Sequence, residues 1–446
     1  MSLKALRKKI EERTAILGVV GLGYVGLPVA CKFADAGFRV LGVDIKSERV
    51  MKIRAGENPI EGREPGLAEL IAEVTQGGRF HATTDYADLA DADVITISVE
   101  TPVGEDDKPG FEALKAASMS VGKAMKPGTL VIIESTIAPG TTHAIVQPQL
   151  EAATSRSLNS GFFLGHCPER VMPGRLLVNL ETMPRVCGGS TPETAEVMTE
   201  LYRTIVGVDA DLDQTDCLTA ELVKTSENAF RDVNIAFANE MALLCEMVGG
   251  DAGKVRKLVN KVPGRDMHEP GAGVGGHCIP KDPWLLAHAA GEDRSRLRML
   301  PAARATNDFM PLHMVDLLED ALAEVGLGIA GARILVMGYA YLADSDDTRN
   351  SPSVATVGRL QEMGAEVRIH DPFVVGYQQD FRDLAQGVDA VVVMVKHSQY
   401  LKFDLGRLKA TMRTPVLVDG RDVFDAGEVE ALGFVYRRVG LGRMAD

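Results

Sequence analysis

The stretch Ala15-Ile16-Leu17-Gly18-Val19-Val20-Gly21-Leu22-Gly23-Tyr24-Val25-Gly26 decides the fold. Its first six residues are apolar and rich in β-branched side chains, which reads as a buried strand, and the glycines after them open a helix. A second apolar run, Val40–Val43, ends at Asp44, twenty-three residues after Gly21. Strand, glycines, helix, strand and terminal acid each have a task in a dinucleotide site. Gly21 permits the turn, Gly23 lets backbone approach a pyrophosphate, and Gly26 allows the helix to pack on the strand. The helix N-terminus then faces the diphosphate. Asp44 can accept both ribose hydroxyls and would repel a 2′-phosphate, so the expected cofactor is NAD rather than NADP.

Working outward, Val94–Val99 and Leu130–Glu134 continue the series of buried strands with helices between them, the alternation of a parallel, doubly wound sheet. A second α/β series begins near Gly331, with strands at Arg333–Met337, Glu366–Ile369, Ala390–Val395 and Val416–Val418. Between the two, Leu218–Val248 runs thirty-one residues without Gly or Pro. Leu222, Ala229, Val233, Phe237, Met241 and Leu244 recur in it at helical spacing, giving a helix about 46 Å long. So broad an apolar surface needs partners on several sides. Either it is covered within the chain or it forms a dimer interface. The expected fold is α/β: two Rossmann-like doubly wound domains joined by a central helical domain with one long helix. The expected boundaries are 1–207, 208–318 and 319–446.

At 446 residues the chain exceeds what one core usually supports. Its 46% hydrophobic and 25% charged content is that of an ordinary globular protein, with glycine enriched at 45 residues. Forty-eight basic against sixty-two acidic residues leave a net charge of −14. That balance, with no basic run beyond Arg7-Lys8-Lys9, argues against a nucleic-acid partner but leaves room for a small anion. The uncharged run Ala15–Cys31 comes after basic residues as the core of a signal peptide does. Glu11 and Glu12 interrupt that flank, however, four glycines break the run, and it is short for a membrane span. The six cysteines show no CxxC, so reduced thiols in a cytoplasmic protein are expected.

Gly271-Ala272-Gly273-Val274-Gly275-Gly276-His277-Cys278-Ile279-Pro280-Lys281-Asp282 carries the chemistry. Glycines this dense sacrifice regular structure, as they must if backbone lies against a substrate and leaves a sulfur reachable. Asp282 falls one helical turn after Cys278 should a helix start there. His277-Cys278 lacks further ligands at metal-binding spacing, so no metal is expected. Cys31, Cys187, Cys217 and Cys245 lie beside apolar residues and read as core. A nicotinamide site with a nucleophilic thiol suggests oxidation through a thioester. On the long helix Lys224 and Asn228 share a face, with Glu221 one turn earlier, where a cation and an amide can stabilise an oxyanion or simply meet solvent. Glu169 and Thr136 stand where apolar runs stop, and spacing alone assigns them no role. After Gly338 the glycine fingerprint is absent. Arg349 there offers a bidentate phosphate or sugar contact, or a salt bridge.

Together these residues resemble the UDP-glucose/GDP-mannose dehydrogenase family, the nucleotide-sugar 6-dehydrogenases. The likeness spans nearly the whole chain. It rests on Gly21 to Pro28, Glu134-Ser135-Thr136, Pro168-Glu169, Lys224 with Asn228, Gly273 to Asp282, and Asp347-Thr348-Arg349-Asn350-Ser351-Pro352. It implies an NAD-binding N-terminal domain, a dimerising helical middle, a C-terminal UDP-sugar domain, and a reaction that uses two NAD⁺ to turn a sugar C6 alcohol into a carboxylate. Carried over, Cys278 would capture the C6 aldehyde as a thiohemiacetal and become the thioester. Lys224 and Asn228 would stabilise oxyanions, Thr136 and Asp282 would hold the water, and Glu169 would serve proton transfer or thioester hydrolysis. Tyr24, Val25, Thr101, Thr136 and Arg349 would join the cofactor site, and Arg170, Arg265 and Gly275 the substrate site.

Three positions depart from the family pattern. Glu100 stands where many members carry Pro, Leu342 replaces a usual Lys, and Pro173 occupies a place that often holds a second Glu in the UDP-glucose branch. The segments Glu169–Gly174, Arg231–Glu240 and Gly275–Pro280 look most like the UDP-N-acetylhexosamine branch. The expected substrate is therefore a UDP-N-acetylhexosamine, by preference the N-acetylmannosamine form. UDP-glucose oxidation, or a nucleotide-sugar-binding protein without activity, are the alternatives. Arg170 could reach the acetamido oxygen or pair with a neighbouring carboxylate.

Overall fold

The computed structural model describes residues 1–62 and 64–443. The chain forms two compact units, Met1–Glu227 with Trp284–Arg294, and Asn228–Pro283 with Ser295–Asp446.

The first unit is built on eight strands: β1 Ile16–Val20, β2 Arg39–Val43, β3 Phe80–Thr83, β4 Val94–Ile97, β5 Leu130–Ile133, β6 Phe163–His166, β7 Arg185–Gly189 and β8 Leu212–Asp216. Their order is β3-β2-β1-β4-β5-β6-β7-β8. The first six are parallel in the dinucleotide-binding order, which places the switch point between β1 and β4. β1, β4 and β5 are buried almost throughout because helices cover both faces, and this is why they read as unbroken apolar runs. β7 departs from the expected parallel sheet. It pairs antiparallel with β6, and β8 is parallel to β7, so the last two strands run backwards. An antiparallel neighbour needs no crossover, and the chain returns from β6 through a loop and the short helix Leu176–Thr182.

The second unit holds β9 Arg333–Met337, β10 Glu366–His370, β11 Ala390–Val393, β12 Val416–Asp419 and β13 Val435–Arg438, all parallel in the order β10-β9-β11-β12-β13. This is the second common doubly wound order. Its core packs Met310, Met314 and Leu318 of the helix Met299–Glu324 against β9, β11 and β12.

The long helix runs Cys217–Val248, one residue earlier than expected, and passes from one unit into the other. In the second unit its buried side is small or polar: Ala229, Ala236, Ala238, Asn239 and Ala242. Phe230, Phe237 and Leu244, seven residues apart, are 71%, 55% and 46% exposed.

Candidate functional site

The glycine turn leaves β1 at the switch point. Gly21 N–H donates to Val43 O at 2.8 Å, and the helix Gly26–Asp35 starts directly after the turn. Gly21 sits at φ +88°, where a Cβ would collide with Ser98 O, and a Cβ on Gly26 would collide with Gly21 O. These two glycines are required by the fold. Gly23 is different, since a Cβ there would meet no protein atom within 4 Å. Space that the protein leaves open beside backbone at a helix N-terminus is what a diphosphate needs. Asp44 is buried after β2 and accepts from Leu22 N–H and Lys46 N–H, each at 2.8 Å, and from Arg49 Nη1 at 2.8 Å. The Tyr24 hydroxyl donates to Glu64 at 2.6 Å, and Val25 precedes the first helical residue.

At the carboxyl ends of β4, β5 and β6 the structure gathers several expected residues. Thr101 Oγ1 donates to Thr136 O at 2.6 Å, joining the loops after β4 and β5. Ser135 donates to Val99 O at 2.7 Å. Lys224 is only 8% exposed, so the solvated alternative does not hold for it. One turn earlier, Glu221 accepts from Gly140 N–H at 2.5 Å, Thr142 N–H at 2.8 Å and Thr142 Oγ1 at 2.5 Å. It thus ties the segment after Thr136 to the helix that carries Lys224. Burial pushes the Glu221 carboxyl above the ordinary range, with the Thr142 and Gly140 bonds pulling the other way. Glu169 is buried against Arg185 at 2.5 Å, and its other oxygen accepts from Arg170 N–H at 2.7 Å. The Arg170 side chain holds Glu227 and donates to Pro184 O at 2.6 Å, which is the ion-pair alternative for it.

In the second unit the glycine segment is held at both ends. Gly271 N–H donates to the buried Asn239 at 2.9 Å, and Arg421 donates to Gly273 O at 2.9 Å. Gly276 N–H donates to Arg349 O at 2.9 Å, and Asn350 donates back to Gly276 O at 3.0 Å. A Cβ on Gly275 would come 2.5 Å from Tyr341 Cβ, so glycine there admits the Tyr341 side chain. Cys278 is exposed, whereas the other five cysteines are buried, and none is in a disulfide. A helix does begin at Asp282, whose N–H donates to Cys278 O at 2.9 Å. Asn228 donates to Asp282 Oδ2 at 2.5 Å, which brings the long helix to the cysteine segment. Burial, then Lys281 and Arg349, lower the His277 pKa to about 4 and keep the ring neutral at pH 7. Arg349 chelates Asp347, the salt bridge foreseen as one of its two roles. Arg265 is exposed in the loop beyond the helix Ala252–Val259, and Leu342 is 42% exposed.

Sequence reading missed Arg185, Asn239 and Arg421. Each is an ordinary polar residue in the chain and becomes notable only through the strand or helix opposite it.

Residues 15–206 match the domain described as UDP-glucose/GDP-mannose dehydrogenase family, NAD binding domain, residues 218–309 match that family's central domain, and residues 335–426 its UDP binding domain. The chain is 39% identical over 426 residues to a UDP-N-acetyl-D-mannosamine dehydrogenase of Pyrococcus horikoshii, covering 96% of this chain and 99% of that one. Among solved structures it resembles UDP-D-ManNAc dehydrogenase from the same organism, with TM-score 0.90 and 38% identity over 96% of this chain and 100% of the other. It also resembles NDP-N-acetyl-D-galactosaminuronic acid dehydrogenase from Methanosarcina mazei Go1, with TM-score 0.87 and 36% identity over 99% and 98% of the two chains.

Proposed function

The chain belongs to the UDP-glucose/GDP-mannose dehydrogenase family, and from that premise we propose that it oxidises the C6 alcohol of a UDP-N-acetylhexosamine, by preference UDP-N-acetylmannosamine, to the uronic acid. The observation that carries the reading is the single exposed thiol, Cys278, on a braced glycine segment with Asn228 and Asp282 bonded beside it. The names of the relatives at 38–39% identity support the sugar.

Gly21, Gly23, Tyr24, Val25, Gly26, Asp44 and Thr101 would hold NAD, which when bound supplies the two-electron acceptor for each oxidation. The remaining work falls to the chain. The Cys278 thiolate adds to the C6 aldehyde carbon, and the thiohemiacetal, once oxidised, is a thioester that water cleaves to the carboxylate and the regenerated thiol. Lys224 and Asn228 stabilise the oxyanions, Thr136 and Asp282 orient the water, and Glu169 takes its proton. Arg265, Gly275 and Arg349 are assigned to binding, while Arg170 keeps its ion pair with Glu227.

A homodimer through the stripe Phe230, Phe237 and Leu244 accompanies this reading, because so regular an exposed apolar row on one helix is costly to leave in water. The functional division is set at 1–207, 208–318 and 319–446. Six thiols outside any disulfide suit a cytoplasmic enzyme. Among the described residues, no helix is long and apolar enough to cross a membrane.

The test is NADH formation against UDP-N-acetylmannosamine, UDP-N-acetylglucosamine, UDP-N-acetylgalactosamine and UDP-glucose. An acetamido pocket leaves its polar partners unsatisfied by glucose, so kcat/KM should favour an N-acetylhexosamine by about 10²-fold. Equal efficiency with UDP-glucose refutes the sugar. A best substrate other than the mannosamine form corrects only the epimer.

A further inference from the structure

The reversed strand β7 accomplishes what a parallel neighbour could not. Its antiparallel register pairs Gly165 with Gly189 and His166 with Gly188. Continued past the strand end, that register sets Cys167 across from Cys187 and Glu169 across from Arg185. The side chains obey it: Cys167 Sγ lies 3.9 Å from Cys187 Sγ, and Arg185 Nη2 lies 2.5 Å from Glu169 Oε2. Active-site groups of such sheets sit at the carboxyl ends of strands. Only a strand running the other way brings its first residue, here an arginine, to that end of β6.

The pair is costly where it stands. Side-chain exposure is 2% for Arg185 and 3% for Glu169, and buried ion pairs are generally no more stabilising than apolar residues of equal volume. A second carboxylate, Glu134, accepts from Tyr202 at 2.6 Å and Ser98 at 2.7 Å, and the guanidinium lies 4.8 Å from the Tyr202 ring centre. Burial opposes the arginine's charge, but Glu169, Cys167, Tyr202 and Glu134 together outweigh it and raise its pKa. A permanent cation therefore meets one oxygen of Glu169 while the Arg170 amide meets the other, so the carboxylate has both ends held.

We propose that Arg185 is a positioning residue for the oxidation: it fixes the Glu169 carboxylate at the end of β6 and acts on turnover through Glu169 alone. This rests on the reading of Glu169 as the group that takes the proton of the hydrolytic water.

The experiment is a double-mutant cycle in the full-length protein with Arg185→Lys, Glu169→Gln and both together. It measures kcat and KM for the best UDP-N-acetylhexosamine and for NAD, with thermal midpoints alongside. Arg185→Lys should lower kcat about tenfold or more with KM for NAD within about twofold, because a lysine ammonium on its shorter stem cannot put a cation where the guanidinium Nη2 meets Glu169 Oε2. In the Glu169→Gln background the same change should cost less than about twofold, since residues acting as one unit are non-additive. If the lysine variant does not fold, the neutral combination Arg185→Gln with Glu169→Gln is compared with Glu169→Gln instead. Losses that multiply, or an unchanged kcat in folded Arg185→Lys, overturn the proposal while the reading of Glu169 stands. Full kcat in Glu169→Gln overturns that reading and the proposal together.

Discussion

Both units carry a strand, a glycine at positive φ, a helix and a second strand followed by a buried aspartate, yet only in the first does the helix open directly after the glycine turn. Gly21 N–H reaches Val43 O and Gly338 N–H reaches His370 O, both at 2.8 Å. Leu22 N–H donates to Asp44 at 2.8 Å, and Tyr339 N–H to Asp371 at 2.6 Å. The two diverge after the turn. In the first unit the helix opens at Gly26, at once presenting its amides. In the second it does not open until Pro352, and the intervening loop folds onto the glycine segment through Arg349 and Asn350. Asp371 also accepts from Ala340 N–H at 2.9 Å and from His397 Nε2 at 3.1 Å, with His397 buried completely. The first turn leads straight into a helix, and its counterpart leads into a loop that braces the glycine segment before Cys278.

The largest way to break the comparison is Asp371→Ala. It strands His397 and the amides of Tyr339, Ala340, Phe373 and Val374, which should cost about 3–5 kcal/mol in urea unfolding while NAD affinity changes less than about twofold. A large loss of NAD affinity would show that the second turn also serves the dinucleotide.

Acid should separate His166 from Asp371 next. Burial lowers the His166 pKa in β6 to about 3 from an ordinary 6.5, so the unfolded state takes a proton that the folded state refuses. Stability is then full above pH 6.5 and falls as pH drops toward 3, by about 2–3 kcal/mol at pH 4.5. Asp371, lowered to about 2 by His397 and backbone amides against the opposing effect of burial, loses its contribution only below about pH 4. In His166→Leu the slope between pH 6.5 and 4.5 should flatten. An unchanged slope would assign it to other groups.

Gly23→Ala sharpens the contrast with smaller consequence. Its Cβ meets no protein atom, so the thermal midpoint should stay within about 2 °C, while NAD affinity falls about tenfold, or ~1.4 kcal/mol. Calorimetric titration reads both halves of that claim, and unaltered affinity would move the diphosphate elsewhere.

Smallest is Asp44→Ser. It removes the carboxylate that Arg49 now pairs with and leaves that guanidinium for a 2′-phosphate. The ratio of kcat/KM for NAD to that for NADP should fall about tenfold. No change in the ratio would contradict the ribose contact.

The NAD turn was legible because its parts are local: a β-branched run, glycines at fixed offsets, and an acid at the end of the next strand. The exposed cysteine was legible for a similar reason, since four glycines crowd into the six residues before His277-Cys278. What stayed hidden was long-range. β8 reads Leu-Asp-Gln-Thr-Asp and is largely solvated, so it offers no apolar run. β6 and β7 each carry glycine, and nothing local announces that they run in opposite directions. Arg185 therefore looked like any other arginine until the register put it against Glu169. The outward stripe of the long helix was half legible, because its apolar residues were plain from spacing but which of them face solvent depended on what packs behind Ala229, Ala236 and Ala242.

The most direct measurement of the central claim is the electron count on one sugar. Limiting UDP-N-acetylmannosamine is incubated with excess NAD, and NADH is quantified against uronic acid by mass spectrometry. Two NADH per uronate are expected from the wild type, and Cys278→Ala should form no uronate while binding NAD as the wild type does. Uronate formed by Cys278→Ala at the wild-type rate, or a product halted at one NADH in the wild type, would contradict oxidation through a cysteine thioester.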